Sequence, residues 1–191
     1  MVASGFVLAG GKSRRMGRDK ALLPYRGRPL VAHVAGTVEE ALGAASPVAI
    51  LGDPQNYRGL GYAIYADLFP DCGPLGGVVT ALDRSATDWN LIVACDMPKV
   101  SPASLRALLD RAAQSTALSV AAQGPTGEPE PLCAVYHRRC LPVLSRALRD
   151  KRFRMRDLFA ELPHELLAFP ADSLANVNTP EEWMECEGQP G

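Results

Sequence analysis

Short aliphatic runs, separated by segments with apolar residues every three or four positions, recur along this chain. The runs at 5–9, 48–51, 63–65, 91–95, 117–122, 132–136 and 166–169 are mostly continuous in apolar residues. They read as strands covered on both faces, since a strand with one wet face alternates apolar and polar positions. Between the first two, Leu30, His33, Val34, Thr37, Val38, Ala41 and Leu42 keep the helical period, with Pro29 at a start position and Gly43 as the stop. Pro74 opens a second helix, Pro102 behind the N-cap Ser101 a third, and Pro180 with Glu181 and Glu182 a last one. Strands alternating with helices predict an α/β domain built on a mainly parallel sheet. The Gly- and Pro-rich stretch 124–131 reads as a local loop, and no repeat or low-complexity linker divides the chain.

Composition narrows what such a domain does. A chain of 191 residues suits one domain, burying roughly 70% of its unfolded surface. A net charge of -1 and a charged fraction of 21% give no broad basic field, which excludes a duplex nucleic acid as partner. The sequence has no apolar run long enough to span a bilayer, so no membrane partner is expected. The apolar opening from Val2 to Leu8 has its positive charge after it instead of before it, unlike a secretory signal. Arg14-Arg15 likewise lacks the apolar segment that a twin-arginine signal needs behind the pair. Cys72, Cys95, Cys133, Cys140 and Cys186 make an odd count without a C-x-x-C pair, which fits a reducing, cytoplasmic setting.

Any anion must therefore be held locally, and the stretch after the first strand is made for one. Gly10, Gly11 and Gly17 bring backbone N–H groups close to a ligand, and Lys12, Arg14, Arg15, Arg18 and Lys20 put five cations within nine residues. It reads as a polyphosphate cradle. A Walker A loop ending at Gly11-Lys12-Ser13 would need glycine at position 6, which is Phe6, and the adjacent Gly10 and Gly11 do not make a G-x-G-x-x-G dinucleotide fingerprint. Asp96 directly follows the apolar run 91–95 and so stands at the carboxyl end of a strand, where open α/β sheets bind ligands. Its hard oxygens suit Mg²⁺ shared with phosphate oxygens. Read alone, Asp96 is equally the start of a turn before Pro98.

Leu8-Ala9-Gly10-Gly11-Lys12-Ser13-Arg14-Arg15-Met16-Gly17-Arg18-Asp19-Lys20 resembles the signature of the MobA-like nucleotidyltransferases. Further matches run along nearly the whole chain: Asp67 ahead of Gly73-Pro74-Leu75-Gly76-Gly77, Cys95-Asp96-Met97-Pro98, Pro131-Leu132-Cys133-Ala134-Val135-Tyr136, and Asn176-Val177-Asn178-Thr179-Pro180-Glu181-Glu182. The resemblance implies one nucleotidyltransferase domain over 1–191, a three-layer α/β/α, Rossmann-like fold of the nucleotide-diphospho-sugar transferase type. The best-matching branch implies GTP as donor, molybdopterin or its molybdenum-loaded form as acceptor, and Mg²⁺ as cofactor. Transient contact with other molybdenum cofactor proteins follows from the same likeness. Carried over residue by residue, Leu8, Ala9, Gly10, Gly11, Lys20, Asp53, Asp67, Gly76 and Asp96 bind the nucleotide. Arg15, Lys20 and Asp96 catalyse, Asp96 holds the metal, and Asn176 and Asn178 lie beside the acceptor.

Several of these readings compete with plainer ones. Asp67 accepts from a guanine edge or a ribose hydroxyl, or is a helix-end charge. Asp53 stands where the relatives commonly carry Asn, and Asp-Pro makes a turn in any case. Asn176 and Asn178 are also turn formers ahead of a Thr179 cap. Arg149, Lys151, Arg152, Arg154 and Arg156 either attract a phosphorylated pterin or solvate a helix end. His33, His137 and His164 have no metal-ligand spacing, and His33 reads as helix packing. The expected reaction has rivals in cytidylyl transfer to the same pterin, in transfer to a sugar phosphate or other small metabolite, and in nucleotide binding without catalysis.

Overall fold

In a computed structural model of the chain, described over residues 1–9 and 19–177, the strands are β1 (Ala3–Leu8), β2 (Pro24–Tyr25), β3 (Arg28–Pro29), β4 (Val48–Leu51), β5 (Ala63–Tyr65), β6 (Trp89–Ala94), β7 (Ser119–Gln123), β8 (Pro129–His137) and β9 (His164–Ala168). The helices are α1 (Leu30–Leu42), α2 (Pro54–Tyr57), α3 (Pro74–Arg84), α4 (Pro102–Gln114), α5 (Leu141–Arg149) and α6 (Met155–Glu161). Seven strands form one sheet in the order β5-β4-β1-β6-β8-β7-β9, and β2 pairs with β3 in a separate hairpin. Within the sheet only β8 is antiparallel to its neighbours β6 and β7; every other pairing is parallel.

The period-two geometry of strands sorts the apolar runs into two cores. Val7, Ile50, Leu91, Val93, Val120, Cys133 and Val135 face α1 and α4, where Val34, Val38, Leu105 and Leu108 meet them. Phe6, Leu51, Ile92, Ala134 and Tyr136 face the other way, onto Val78, Leu82, Leu144, Leu158 and Phe159 of α3, α5 and α6. This double coverage produces three layers and explains why the strands read as continuous apolar runs. A Cβ at Gly5 would stand 2.5 Å from Val38 Cγ1 and 2.7 Å from Leu42 Cδ1, so α1 packs tightly on β1 because this strand residue has no side chain. Among the described residues no helix is long and apolar enough to cross a membrane.

Some local expectations shift. Pro29 caps α1 from outside, with φ -55° and ψ 140°, instead of opening it. It also closes the β2–β3 hairpin, whose turn uses positive φ at Arg26 and Gly27, the geometry of a tight hairpin connection. The loop expected at 124–131 is shorter: Gly124 N donates to Glu128 O, and β8 begins at Pro129. Helices α5 and α6 complete the second core, although their apolar spacing is interrupted by the Arg-rich stretch between them. The last expected helix, from Pro180, lies outside the described residues.

Candidate active site

Because β1, β4, β5 and β6 are mutually parallel, Ala9, Asp53, Asp67 and Asp96 all leave the sheet at its carboxyl edge. Backbone bonds continue the ladder there, with Ala9 N donating to Leu51 O at 2.8 Å and Cys95 N to Leu8 O at 3.0 Å. Lys20 returns to this edge from the far end of the glycine-rich stretch. Its Nζ lies 3.6 Å from Asp96 Oδ2, with only 10% of the Lys20 side chain and 28% of the Asp96 side chain exposed. Among the described residues nothing donates to Asp96 Oδ1, which is buried. A buried carboxylate oxygen left unsatisfied is costly, and a hard cation would satisfy it. No group of three or more His, Cys, Asp or Glu able to hold a metal occurs among the described residues. A single hard carboxylate oxygen of this kind is compatible with Mg²⁺, which binds through one or two carboxylates together with phosphates and water.

Asp19 and Tyr57 tie the two ends of the 10–18 segment together. Asp19 Oδ1 accepts from Ala21 N at 3.0 Å and so caps the 3-10 turn Lys20–Leu22 that carries Lys20. The Tyr57 hydroxyl lies 2.7 Å from Asp19 Oδ2 and 3.1 Å from Ala9 O. Burial, followed by the Asp19 contact, raises the Tyr57 pKa, so the phenol stays protonated and able to donate. Gly52 lets the ring in, since a Cβ there would stand 2.4 Å from Tyr57 Cε2. Tyr57→Phe should lower stability by about 1–2 kcal/mol and raise the KM for the donor nucleotide. Thermal unfolding together with steady-state kinetics checks this; unchanged values in both would show that the hydroxyl braces nothing.

Asp67 and Gly76 meet each other. Asp67 Oδ1 accepts from Phe69 N at 2.8 Å and lies 3.0 Å from Thr80 Oγ1 of α3. A Cβ at Gly76 would stand 2.5 Å from Phe69 O and 3.1 Å from Asp67 Oδ2, so this glycine first of all admits the chain's own 67–73 loop. Asp53 behaves as an Asp-Pro turn: its Oδ1 accepts from Gln55 N at 2.9 Å and caps α2. Asn176 stands beside the site through its neighbour, because Val177 N donates to Asp96 O at 3.0 Å. Gly10, Gly11, Arg15 and Asn178 lie outside the described residues.

The basic cluster proves to be the α5–α6 connection. Arg149 ends α5, Arg152 pairs with Glu161, and Arg156 sits in the first turn of α6. His33 does pack, as expected: its ring meets Tyr25 edge-on and its Nε2 lies 3.1 Å from Pro98 O. Burial and the adjacent Asp96 push the Cys95 thiol up to about 12, against the opposing pull of Lys20, and so favour the protonated thiol. Two residues escaped the sequence reading. Tyr57 carried only the weak signal of an aromatic after an Asp-Pro turn, and Glu130 was hidden between Pro129 and Pro131 in what looked like loop.

With this geometry in place, the comparison with known proteins is decisive, for the pattern of the MobA-like NTP transferase domain matches residues 5–166. The chain belongs to the MobA-like NTP transferase family. It is 36% identical over 187 residues to the molybdenum cofactor guanylyltransferase of Xanthomonas euvesicatoria, covering 94% of this chain and 92% of that one. It is 35% identical over 190 residues to the molybdenum cofactor guanylyltransferase of Pseudomonas entomophila, covering 94% and 95%. The fold is shared with the molybdopterin-guanine dinucleotide biosynthesis protein A of Archaeoglobus fulgidus, at TM-score 0.78 and 22% identity over 96% of both chains. In this MobA-like NTP transferase, Lys20 and Asp96 meet at the carboxyl edge of the sheet, the edge at which open α/β sheets bind their ligands.

Proposed function

We propose that this MobA-like nucleotidyltransferase transfers GMP from GTP to the terminal phosphate of molybdopterin, in its free or molybdenum-loaded form, and releases pyrophosphate. The observation that carries the reading is the Lys20–Asp96 pair at the edge where β1 and β6 end, with Lys20 buried, Asp96 half-buried and one buried Asp96 oxygen without a donor among the described residues. The guanylyltransferase relatives at 35–36% identity support the choice of substrates. Leu8, Ala9, Gly10 and Gly11 lie along the triphosphate with Arg15 and Lys20, while Asp53, Asp67 and Gly76 border the nucleoside. Asn176 and Asn178 stand on the acceptor side. Mg²⁺ held by Asp96 would supply charge neutralisation on the phosphate oxygens.

In the reaction an oxygen of the acceptor's terminal phosphate attacks the α-phosphorus in line. One P–O bond forms as the bond from the α-phosphorus to the bridging oxygen breaks, and that oxygen leaves with pyrophosphate. The acceptor oxygen is already anionic at neutral pH, so no general base is required, and the work of the chain is positioning and charge stabilisation. Lys20 presents a fixed ammonium to the developing charge, and the Asp19–Tyr57–Ala9 contacts hold both ends of the cradle at a set spacing. The protein would work in the cytoplasm as a single domain.

Incubating the purified protein with Mg²⁺, molybdopterin and each NTP in turn, with pyrophosphate release as the readout, tests the assignment. GTP should support turnover far better than CTP, UTP or ATP. Preference for CTP would overturn the guanine assignment, and turnover with a sugar phosphate in place of the pterin would overturn the acceptor.

A further inference from the structure

On the strand neighbouring β6 on the side away from β1 stands a second carboxylate, Glu130, that the proposed reaction does not use. Strands β6 and β8 pair up to Val93 and Cys133; Asp96 lies three residues beyond Val93, and Glu130 lies three residues before Cys133 on the antiparallel neighbour. Both therefore lie toward the same edge of the sheet, Asp96 just beyond β6 and Glu130 near the start of β8. The register of β8 against β7 jumps from Ala121–Ala134 to Ala122–Glu130. The strand is thus swollen at Pro131, Leu132 and Cys133, and such bulges re-aim side chains beside active sites. The bulge is held internally, with Tyr136 Oη donating to Pro131 O at 2.8 Å and Leu132 N donating to Glu130 Oε1 at 3.3 Å. Burial, with Asp96 and Glu128 adding to it, raises the Glu130 pKa, while Leu132 N and the positive field of Arg156 pull it down.

A half-buried carboxylate that feels the charge of Asp96, with acceptor capacity beyond one long backbone bond, can receive donors. It cannot receive the phosphates, which carry its own sign of charge. The sheet order decides which ligand it faces. Ala9 after β1, Asp53 after β4 and Asp67 after β5 all lie on one side of β6, whereas Glu130 on β8 lies on the other. Donor and acceptor must meet at Asp96, so the β8 side is left to the acceptor.

We propose that Glu130 reads the acceptor: its carboxylate takes the adjacent ring N–H and amino N–H donors of the acceptor's nitrogen heterocycle and so sets the reach of the terminal phosphate toward Asp96. This rests on the assignment of a pterin acceptor. A carboxylate matches such a paired donor edge with two oxygens, whereas an amide of the same shape offers one acceptor and one donor.

The test is steady-state kinetics of wild type, Glu130→Gln and Glu130→Ala with GTP, Mg²⁺ and molybdopterin, alongside binding of GTP measured by calorimetry. Both variants should raise the KM for molybdopterin about 10- to 100-fold, as expected for losing hydrogen bonds to a charged group, with GTP affinity unchanged. Unchanged GTP affinity also certifies that the variants are folded. An unchanged molybdopterin KM, an altered GTP affinity, or a loss of kcat at constant KM would each overturn the assignment of Glu130. Failure of the wild type to use molybdopterin would instead overturn the proposed function, so the two results are distinguishable.

Discussion

Asp96→Ala should all but abolish nucleotidyl transfer, raising the barrier by about 4 kcal/mol and so lowering kcat/KM roughly a thousand-fold, while the fold persists. The expectation follows from the environment of this carboxylate. Oδ2 faces Lys20 Nζ at 3.6 Å, and Oδ1 is buried without a donor among the described residues. Removing the side chain takes away the hard oxygens that would hold Mg²⁺ against the phosphates. For stability the effects oppose one another: a long ion pair is lost, but an unsatisfied buried oxygen disappears with it. Asp96→Asn keeps the volume and loses only the charge, so it should be nearly as inactive with a smaller change in Tm. Kinetics on both variants, with circular dichroism and thermal unfolding as controls, provide the check. Wild-type turnover in either variant would refute a metal-holding role.

Lys20→Ala should cost about 2–4 kcal/mol at the transition state, expressed mainly in kcat. Lys20 is 8% exposed and begins a 3-10 turn fixed by the Asp19 cap, so its ammonium needs little reorganisation when negative charge builds on the phosphates. Lys20→Arg should restore only part of the rate, because a planar guanidinium does not replace a compact ammonium in a buried position. Pre-steady-state turnover with saturating GTP separates this effect from ground-state binding. A change confined to the KM for GTP would mean that Lys20 holds the substrate and the transition state equally well.

Much of the fold was legible because its signals are local. Continuous apolar runs announced β1, β4, β5 and β6 to within a few residues, and Pro74, Ser101 and Pro102 marked the starts of α3 and α4. The boundaries that moved were set by contacts from elsewhere. Pro29 caps α1 because the β2–β3 hairpin uses it, and β7 begins at Ser119, where Leu118 N and Ser119 N both donate to Pro163 O. Asp53 shows the converse: the Asp-Pro turn was readable from the two residues alone, and the structure keeps it as a helix cap.

The sequence by itself determined the α/β alternation, the cation-rich glycine stretch behind β1 and the position of Asp96 at the end of an apolar strand, all properties of neighbouring residues. Only the tertiary structure decided that Tyr57 reaches back 38 residues to Asp19, that Gly76 makes room for the 67–73 loop, and that Glu130 comes to the edge shared with Asp96. Such pairings depend on strand order and on the antiparallel run of β8. These are fixed by packing two apolar layers against one sheet, and no short stretch of chain encodes them.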